Sequence, residues 1–425
     1  MDLIRKSYAE EDSSLSRPGK PFRKGPFPRL SASGLCQPST SSVCLDGESI
    51  SIRPYKRKSQ NPTSGTEPTV SSYQKRPKFV DTEFPELKPI KRTFVCSGKP
   101  KLPKRIELCG YQRPDKSDIQ PISSLSWNSQ STVLLSTSFD KSFRLWSFAD
   151  DNTSTLSESH SGHLAGSLTA GCWLSSSQRL AVAGFDRCVS VFDAQQCSAS
   201  SSPLYSFLHT VPVTAVIGAE SNANVLFSAS GNSVNLWDCR SSPTYGPVQT
   251  YSDKPDFTIQ SVELLPSAQE LVACTDVIGQ DSAAKSILIW DIRTAALLVD
   301  HINKDPFPCC YLRCHPASHL VCAQNTAGYI ITFHGNRPYK MVHKKRFGCH
   351  LLEGYRLKFG FTPDGSMVLA GNCEGLVTFY DFKTAKEIRQ IQLSDSPISC
   401  FESAFVNGDL KVAVGSWNGE LKLLS

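Results

Sequence analysis

The densest set of reactive side chains lies in CCYLRCHPASHLVC, residues 309–322. Cys310, Cys314, His315, His319 and Cys322 are residue types that bind zinc through thiolate sulfur and imidazole nitrogen. The spacing argues against such a centre, because the chain has no Cys-x-x-Cys pair, the usual anchor of a zinc site. Aligned on RLKFGFTPDG (residues 356–365), Cys310, Leu312 and Cys314 fall where Leu357, Phe359 and Phe361 stand. Alternate residues share one face of a strand, and free cysteine is among the most buried side chains. The run therefore reads as strand core, and no metal is expected.

A second cluster, YKMVHKKRFG, brings Lys340, His343, Lys344, Lys345 and Arg346 together. Such a strand or loop can contact phosphates or an acidic partner, or it can keep a sheet edge from pairing. Lys340, Lys344, Lys345 and Arg346 are taken as candidate partner contacts. G-x-S-x-G, G-x-x-x-x-G-K-[ST] and H-E-x-x-H are all absent. No catalytic residue, cofactor or small-molecule substrate is therefore assigned, and a non-enzymatic binding protein is expected.

The net charge of +6 divides unevenly. Residues 1–105 hold 21 Lys+Arg against 10 Asp+Glu, and the remainder 24 against 29, so the halves carry +11 and −5. The first 105 residues also carry 13 of the 27 prolines and no apolar period of two or 3.6. Such a composition cannot bury enough surface to offset its ordering entropy, so residues 1–103 are expected to be a disordered basic tail. Within it, RPYKRKSQ (Lys56, Arg57, Lys58) and YQKRPKF (Lys75, Arg76, Lys78) are candidate import signals for the nucleus. The opening residues lack the apolar core of a secretory signal, and no apolar run approaches 18 residues. The 16 cysteines follow no small-domain spacing, so they read as reduced thiols in an intracellular protein. No membrane contact is expected.

From about residue 118, short apolar runs alternate with Gly, Asn, Asp, Ser and Pro, the texture of an all-β chain. The runs repeat: LLSTSFDKSFRLWS, AVAGFDRCVSVFDA, LFSASGNSVNLWDC, SILIWDIR, VCAQNTAGYIITFH, VLAGNCEGLVTFYD and VAVGSWNGELKLLS. Their bulky anchors are Trp146, Phe192, Trp237, Trp290, Phe333, Tyr380 and Leu424, spaced 46, 45, 53, 43, 47 and 44 residues apart. The longest spacing reflects an insertion in CTDVIGQDSAAKSILIWD.

Seven such units resemble the WD-repeat β-propeller family. The resemblance covers residues from about 118 to 425 and implies a seven-bladed ring spanning residues 104–425. In that family the last blade takes its outer strand from the N-terminal side, and KRIELCGYQR, residues 104–113, is assigned that role. The family's Gly-His pair is nearly absent, with His163 of SGHLAG as its clearest survivor, so the His–Ser/Thr–Trp–Asp network is expected to be incomplete.

The order of segments, above all KKRFGCHLLEGY before the sixth repeat, further resembles a branch of the family that includes a splicing factor. That likeness implies an interaction scaffold in a nuclear RNA-processing assembly, with protein or ribonucleoprotein partners. A different likeness attaches to WDCR and WDIR, which place Arg240 and Arg293 two residues beyond Asp238 and Asp291. Consecutive WD-x-R repeats resemble those of substrate receptors that dock on cullin–RING ubiquitin ligases through these arginines. Each arginine can equally pair with its own aspartate as a surface bridge.

Overall fold

Each repeat folds as one antiparallel sheet of four strands, and seven such sheets follow one another along the chain. The computed structural model describes residues 84–89, 106–109, 120–148, 156–175, 178–197, 202–242, 245–252, 257–276, 286–300, 302, 307–348 and 350–425. The proposed import clusters lie outside these residues, as does most of the 1–103 segment. Among the described residues there is no helix. The architecture is a seven-bladed β-propeller, here numbered blade 1 to blade 7 in chain order.

The innermost strands of blades 1–5 are Ile122–Trp127, Leu168–Trp173, Val213–Gly218, Ile259–Leu264 and Cys309–Cys314. Those of blades 6 and 7 are Gly360–Phe361 and Ile398–Val406. The third strand of each blade carries the bulky anchor, as Trp237 in Ser233–Asp238 and Trp290 in Ile287–Asp291 show. In the last blade the strands lie in the order Ile106–Cys109, Leu421–Leu424, Asp409–Ser416 and Ile398–Val406, and Ile106–Cys109 pairs antiparallel with Leu421–Leu424. Ile106 lies opposite Leu424, and Cys109 opposite Leu421.

Alternation along each strand explains the near-continuous apolar runs. One face of a blade packs on the preceding blade and the other on the following blade. Blades 3 and 4 share one apolar cluster, with Phe227, Leu236, Tyr251, Leu271, Leu288 and Trp290 buried between them. Six further clusters fill the remaining junctions, including the one where Ile122, Leu134 and Trp146 of blade 1 meet Leu421 and Leu423 of blade 7.

The turns between second and third strands share a left-handed residue: Lys141, Arg187, Gly231, Gly328, Gly375 and Gly419 have φ between 59° and 85°. Two of them must be glycine for space as well. A Cβ would lie 2.1 Å from His350 O at Gly328 and 1.8 Å from Ser394 O at Gly375.

A register shift recurs near the start of six inner strands, between Ile122/Ser124, Leu168/Ala170, Val213/Ala215, Ile259/Ser261, Cys309/Tyr311 and Ile398/Cys400. The extra residue is a bulge that re-aims side chains. In blades 2 and 3 it is a threonine whose hydroxyl stitches neighbours together. Thr169 donates to Val213 O and Thr214 to Ile259 O, both at 2.6 Å.

Candidate functional site

The bulge alters the packing of the cysteine-rich strand. Cys309 is wholly buried in the cluster between blades 4 and 5 with Leu312, and Cys314 packs against that cluster. Cys310, the bulged residue, points elsewhere and donates its thiol to Gln324 O at 3.4 Å. The single-face reading of Cys310, Leu312 and Cys314 is corrected to this extent.

The other thiols and imidazoles also bond separately. Cys314 donates to Leu264 O, and Cys322 bonds to the Thr332 hydroxyl. His315 bonds Gly365 O through Nε2 and accepts the Ala317 N–H at Nδ1. His319 is exposed. Burial pushes the Cys310 thiol up to about 11 and the Cys322 thiol up to about 12. Neither thiol is poised as a nucleophile or ligand, since both need the thiolate.

Arg240 and Arg293 occupy equivalent turns after the third strands of blades 3 and 4. The Arg240 guanidinium forks onto Asp238, with Nη2 to Oδ2 at 2.6 Å and Nε to Oδ1 at 3.1 Å. The hydrogen bond to Asp238 raises the Arg240 pKa above its ordinary value. Asp238 is buried and Arg240 is 60% exposed, so the pair holds the turn and leaves one edge of the guanidinium toward solvent. Asp291 instead accepts the Thr294 and Arg293 amides and the Thr294 hydroxyl. Those bonds, the Thr294 amide foremost, hold its carboxyl below the usual range. The Arg293 side chain is exposed. Tyr251, buried in blade 3, donates its hydroxyl to Ile292 O at 2.8 Å and ties the two turns' blades together.

The basic run forms Met341–Gly348, the outer strand of blade 5. Strand alternation splits its charges between two faces. Lys345 Nζ lies 4.0 Å from the Phe382 ring centroid in blade 6, and the Arg346 guanidinium lies 3.9 Å from the Tyr329 ring centroid. Both cations sit at cation–π distance. Lys340, His343 and Lys344 are exposed.

The channel at the centre of the disc holds a cluster that the repeats did not reveal. At one level the inner strands contribute Ser126, Cys172, Ile217, Glu263, Arg313, Gly360 and Glu402. Each is paired with an equivalent residue of its own second strand. Burial pulls the Arg313 pKa down, but Glu402, Tyr311 and Glu263 more than reverse this, so it stands above its ordinary value. One level along, Lys358 donates to Ser123 O at 2.7 Å, and burial pulls its ammonium down. Nearer one end, Arg356 bonds to Gln260 and to Asp276 Oδ2, the latter at 3.2 Å. Superposing the seven inner strands in the sequence by the strand-end residues would have exposed the charged level.

The Trp–Ser–His network is complete in blade 3. Trp237 Nε1 donates to Ser228 Oγ at 2.8 Å, and Ser228 bonds His209 Nε2 at 3.1 Å. His163 is exposed and does not enter such a network. The equivalent backbone contact in blade 1 is made by Leu164, whose amide donates to Lys141 O as that of His209 does to Arg187 O. The repeat's histidine position is therefore one residue later than SGHLAG suggested. In blade 4, Ala273 stands where Ser228 does, and Trp290 Nε1 has no hydrogen-bond partner.

The family model "WD domain, G-beta repeat" matches residues 116–147. The chain is similar to WD repeat-containing protein 25 of Mus musculus, 26% identical over 309 residues, 71% of this chain and 55% of that protein. It is also similar to pre-mRNA-processing factor 17 of Saccharomyces cerevisiae, 23% identical over 218 residues, 51% of this chain and 45% of the other. With pre-mRNA-processing factor 17 of Homo sapiens the figures are 23% over 298 residues, 68% and 48%. The chain thus spans about half the length of the curated relatives it matches. Seven in-phase four-stranded blades make the described part of this chain a seven-bladed β-propeller, one repeat of which matches the WD domain, G-beta repeat family.

Proposed function

We propose that this chain is a non-enzymatic scaffold that binds protein partners within a nuclear RNA-processing assembly. The observation that carries this reading is the similarity to two proteins named pre-mRNA-processing factor 17, from yeast and human. The 298 residues aligned with the human protein far exceed the 105 of the basic segment, so most of the likeness falls on the propeller. Fold alone names no partner. The names of those relatives support the choice of assembly, and the exposed basic side chains of blade 5 support the choice of surface. Lys340, just before the outer strand of blade 5, and His343 and Lys344 on it are the side chains offered to an acidic or RNA-bearing neighbour. The basic clusters at residues 56–58 and 75–78 would bring the chain to the nucleus.

The test is affinity purification of the full chain from nuclear extract under native salt, followed by mass spectrometry and RNA sequencing. Spliceosomal proteins and small nuclear RNAs are expected. Recovery of a cullin and its adaptor, lost on Arg240→Ala with Arg293→Ala, would replace this reading with the ubiquitin-ligase receptor. Recovery of neither class would remove both.

A further inference from the structure

Residues 84–89, FPELKP, sit outside the repeats yet rest on the propeller. Phe84 and Leu87 pack against the apolar cluster between blades 3 and 4, beside Val248, Ala295 and Leu297, which are themselves only partly buried. Pro85 is buried, whereas Glu86 and Lys88 are exposed. The Lys88 amide donates to Ser221 Oγ at 3.1 Å. Ser221 lies in the turn between the first and second strands of blade 3, and Ala295 between the third and fourth strands of blade 4. In an antiparallel sheet these two kinds of turn fall at the same end, so the segment lies at the end of the disc that carries Arg240 and Arg293.

Its form is that of a short linear ligand. It belongs to no strand or helix. Proline fixes its own φ and keeps the residue before it extended, so Phe84 is presented with little conformational freedom left to lose. Two side chains three residues apart fill apolar ground, and the backbone donates a hydrogen bond to a serine on an exposed turn. No sheet ladder anchors it. Seventeen residues further on, Ile106 begins the strand that closes the ring. A linker of that length spans up to roughly 60 Å when extended, so the segment can leave the groove without unpairing that strand.

We propose that the groove between blades 3 and 4 is a docking site for a peptide of the form Phe-Pro-x-Leu, and that residues 84–87 occupy it as a detachable ligand in cis. The third position, Glu86, is exposed, so the groove reads the first, second and fourth positions and leaves the third open. A tethered ligand acts at an effective concentration near millimolar. Cis occupancy therefore masks the groove from any free peptide of similar affinity, and a partner bearing the motif gains access when the segment is drawn away. This inference does not rest on the RNA-processing reading.

The probe is a fluorescein-labelled peptide of residues 80–92, VDTEFPELKPIKR, titrated by anisotropy into the full chain. Wild-type chain is expected to bind it weakly. Phe84→Ala with Leu87→Ala is expected to bind it about tenfold or more tightly while still melting cooperatively, and adding Ala295→Arg to that variant should abolish binding. A milder variant, Leu87→Ser, should give an intermediate affinity. The proposal is overturned if the emptied variant binds no better than wild type, if binding survives Ala295→Arg, or if neither binds. It is equally overturned if both Phe84→Ala/Leu87→Ala and Leu87→Ser lose cooperative melting, because the segment is then integral core and not a ligand.

Discussion

Arg313 of blade 5 bonds Glu402 of blade 7 across the channel, Nη1 to Oε2 at 2.7 Å, passing over blade 6. The residue of blade 6 at that level is Gly360, and a Cβ added there would lie 2.9 Å from Phe401 Cβ. Blade 6 therefore places no side chain at the level where the pair joins blades 5 and 7. Side-chain exposures of 27% and 15% place the pair between a surface bridge and a buried one.

Breaking that pair strands a half-buried charge. Removing one partner of a fully buried pair costs about 3–5 kcal/mol, and solvent screening reduces this here to about 2 kcal/mol. Glu402→Ala should lower the denaturation midpoint accordingly, whereas Arg313→Met with Glu402→Met should recover most of the loss. Equal stability of single and double variants would show that the pair is screened by water.

The blade 3 network predicts opposite effects in neighbouring blades. Ser228→Ala removes the acceptor of Trp237 and the partner of His209, leaving buried polar groups unmatched at a cost of about 1–3 kcal/mol. Ala273→Ser supplies the acceptor that Trp290 Nε1 lacks and should stabilise by about 0.5–1 kcal/mol. Thermal melting of the two variants checks both signs.

Acid should loosen the propeller through two imidazoles. Burial lowers His209 and His350 to about 4, from an ordinary value of 6.5. The unfolded chain thus takes up protons that the folded chain refuses. Their stabilisation is full above pH 6.5 and is lost as pH falls toward 4, on the order of 3 kcal/mol each at the bottom of that window. Urea midpoints at pH 7.5, 6 and 5 should fall in that order, and His350→Gln should flatten the decline.

For the basic segment the expected outcome is transport. Residues 1–105 fused to a cargo too large for passive entry should carry it into the nucleus. Replacing Lys56, Arg57, Lys58, Lys75, Arg76 and Lys78 by Ala lowers the segment's net charge from +11 to +5 and should return the cargo to the cytoplasm. Microscopy that finds the native fusion cytoplasmic would end the import reading.

Much of the fold was legible because each blade repeats the same solution. A strand, a left-handed turn and an anchored strand recur at intervals of 43 to 53 residues, and period survives substitutions such as Tyr380 or Leu424 for tryptophan. Single positions were less legible. His163 and Leu164 differ by one residue, and only the amide of Leu164 donating to Lys141 O shows which one occupies the network position. Cys310 was misplaced because a bulge adds a residue without leaving a mark in composition. Glu263, Arg313 and Glu402 look like scattered surface charges until seven inner strands are brought to one level. Phe84 and Leu87 lie in a stretch whose overall composition hides two apolar anchors.

The pairing of Ile106 with Leu424 also sets a clock on synthesis. These partners are 318 residues apart, and at roughly 5–20 residues per second the first waits on the order of 16–64 s for the second to be made. Until then the ribosome displays an arc of blades with two unsatisfied ends, each a template for pairing with another chain. The closing strand is thus the first part of the ring to be translated and the last to be used, and the nascent arc has to be shielded throughout that interval.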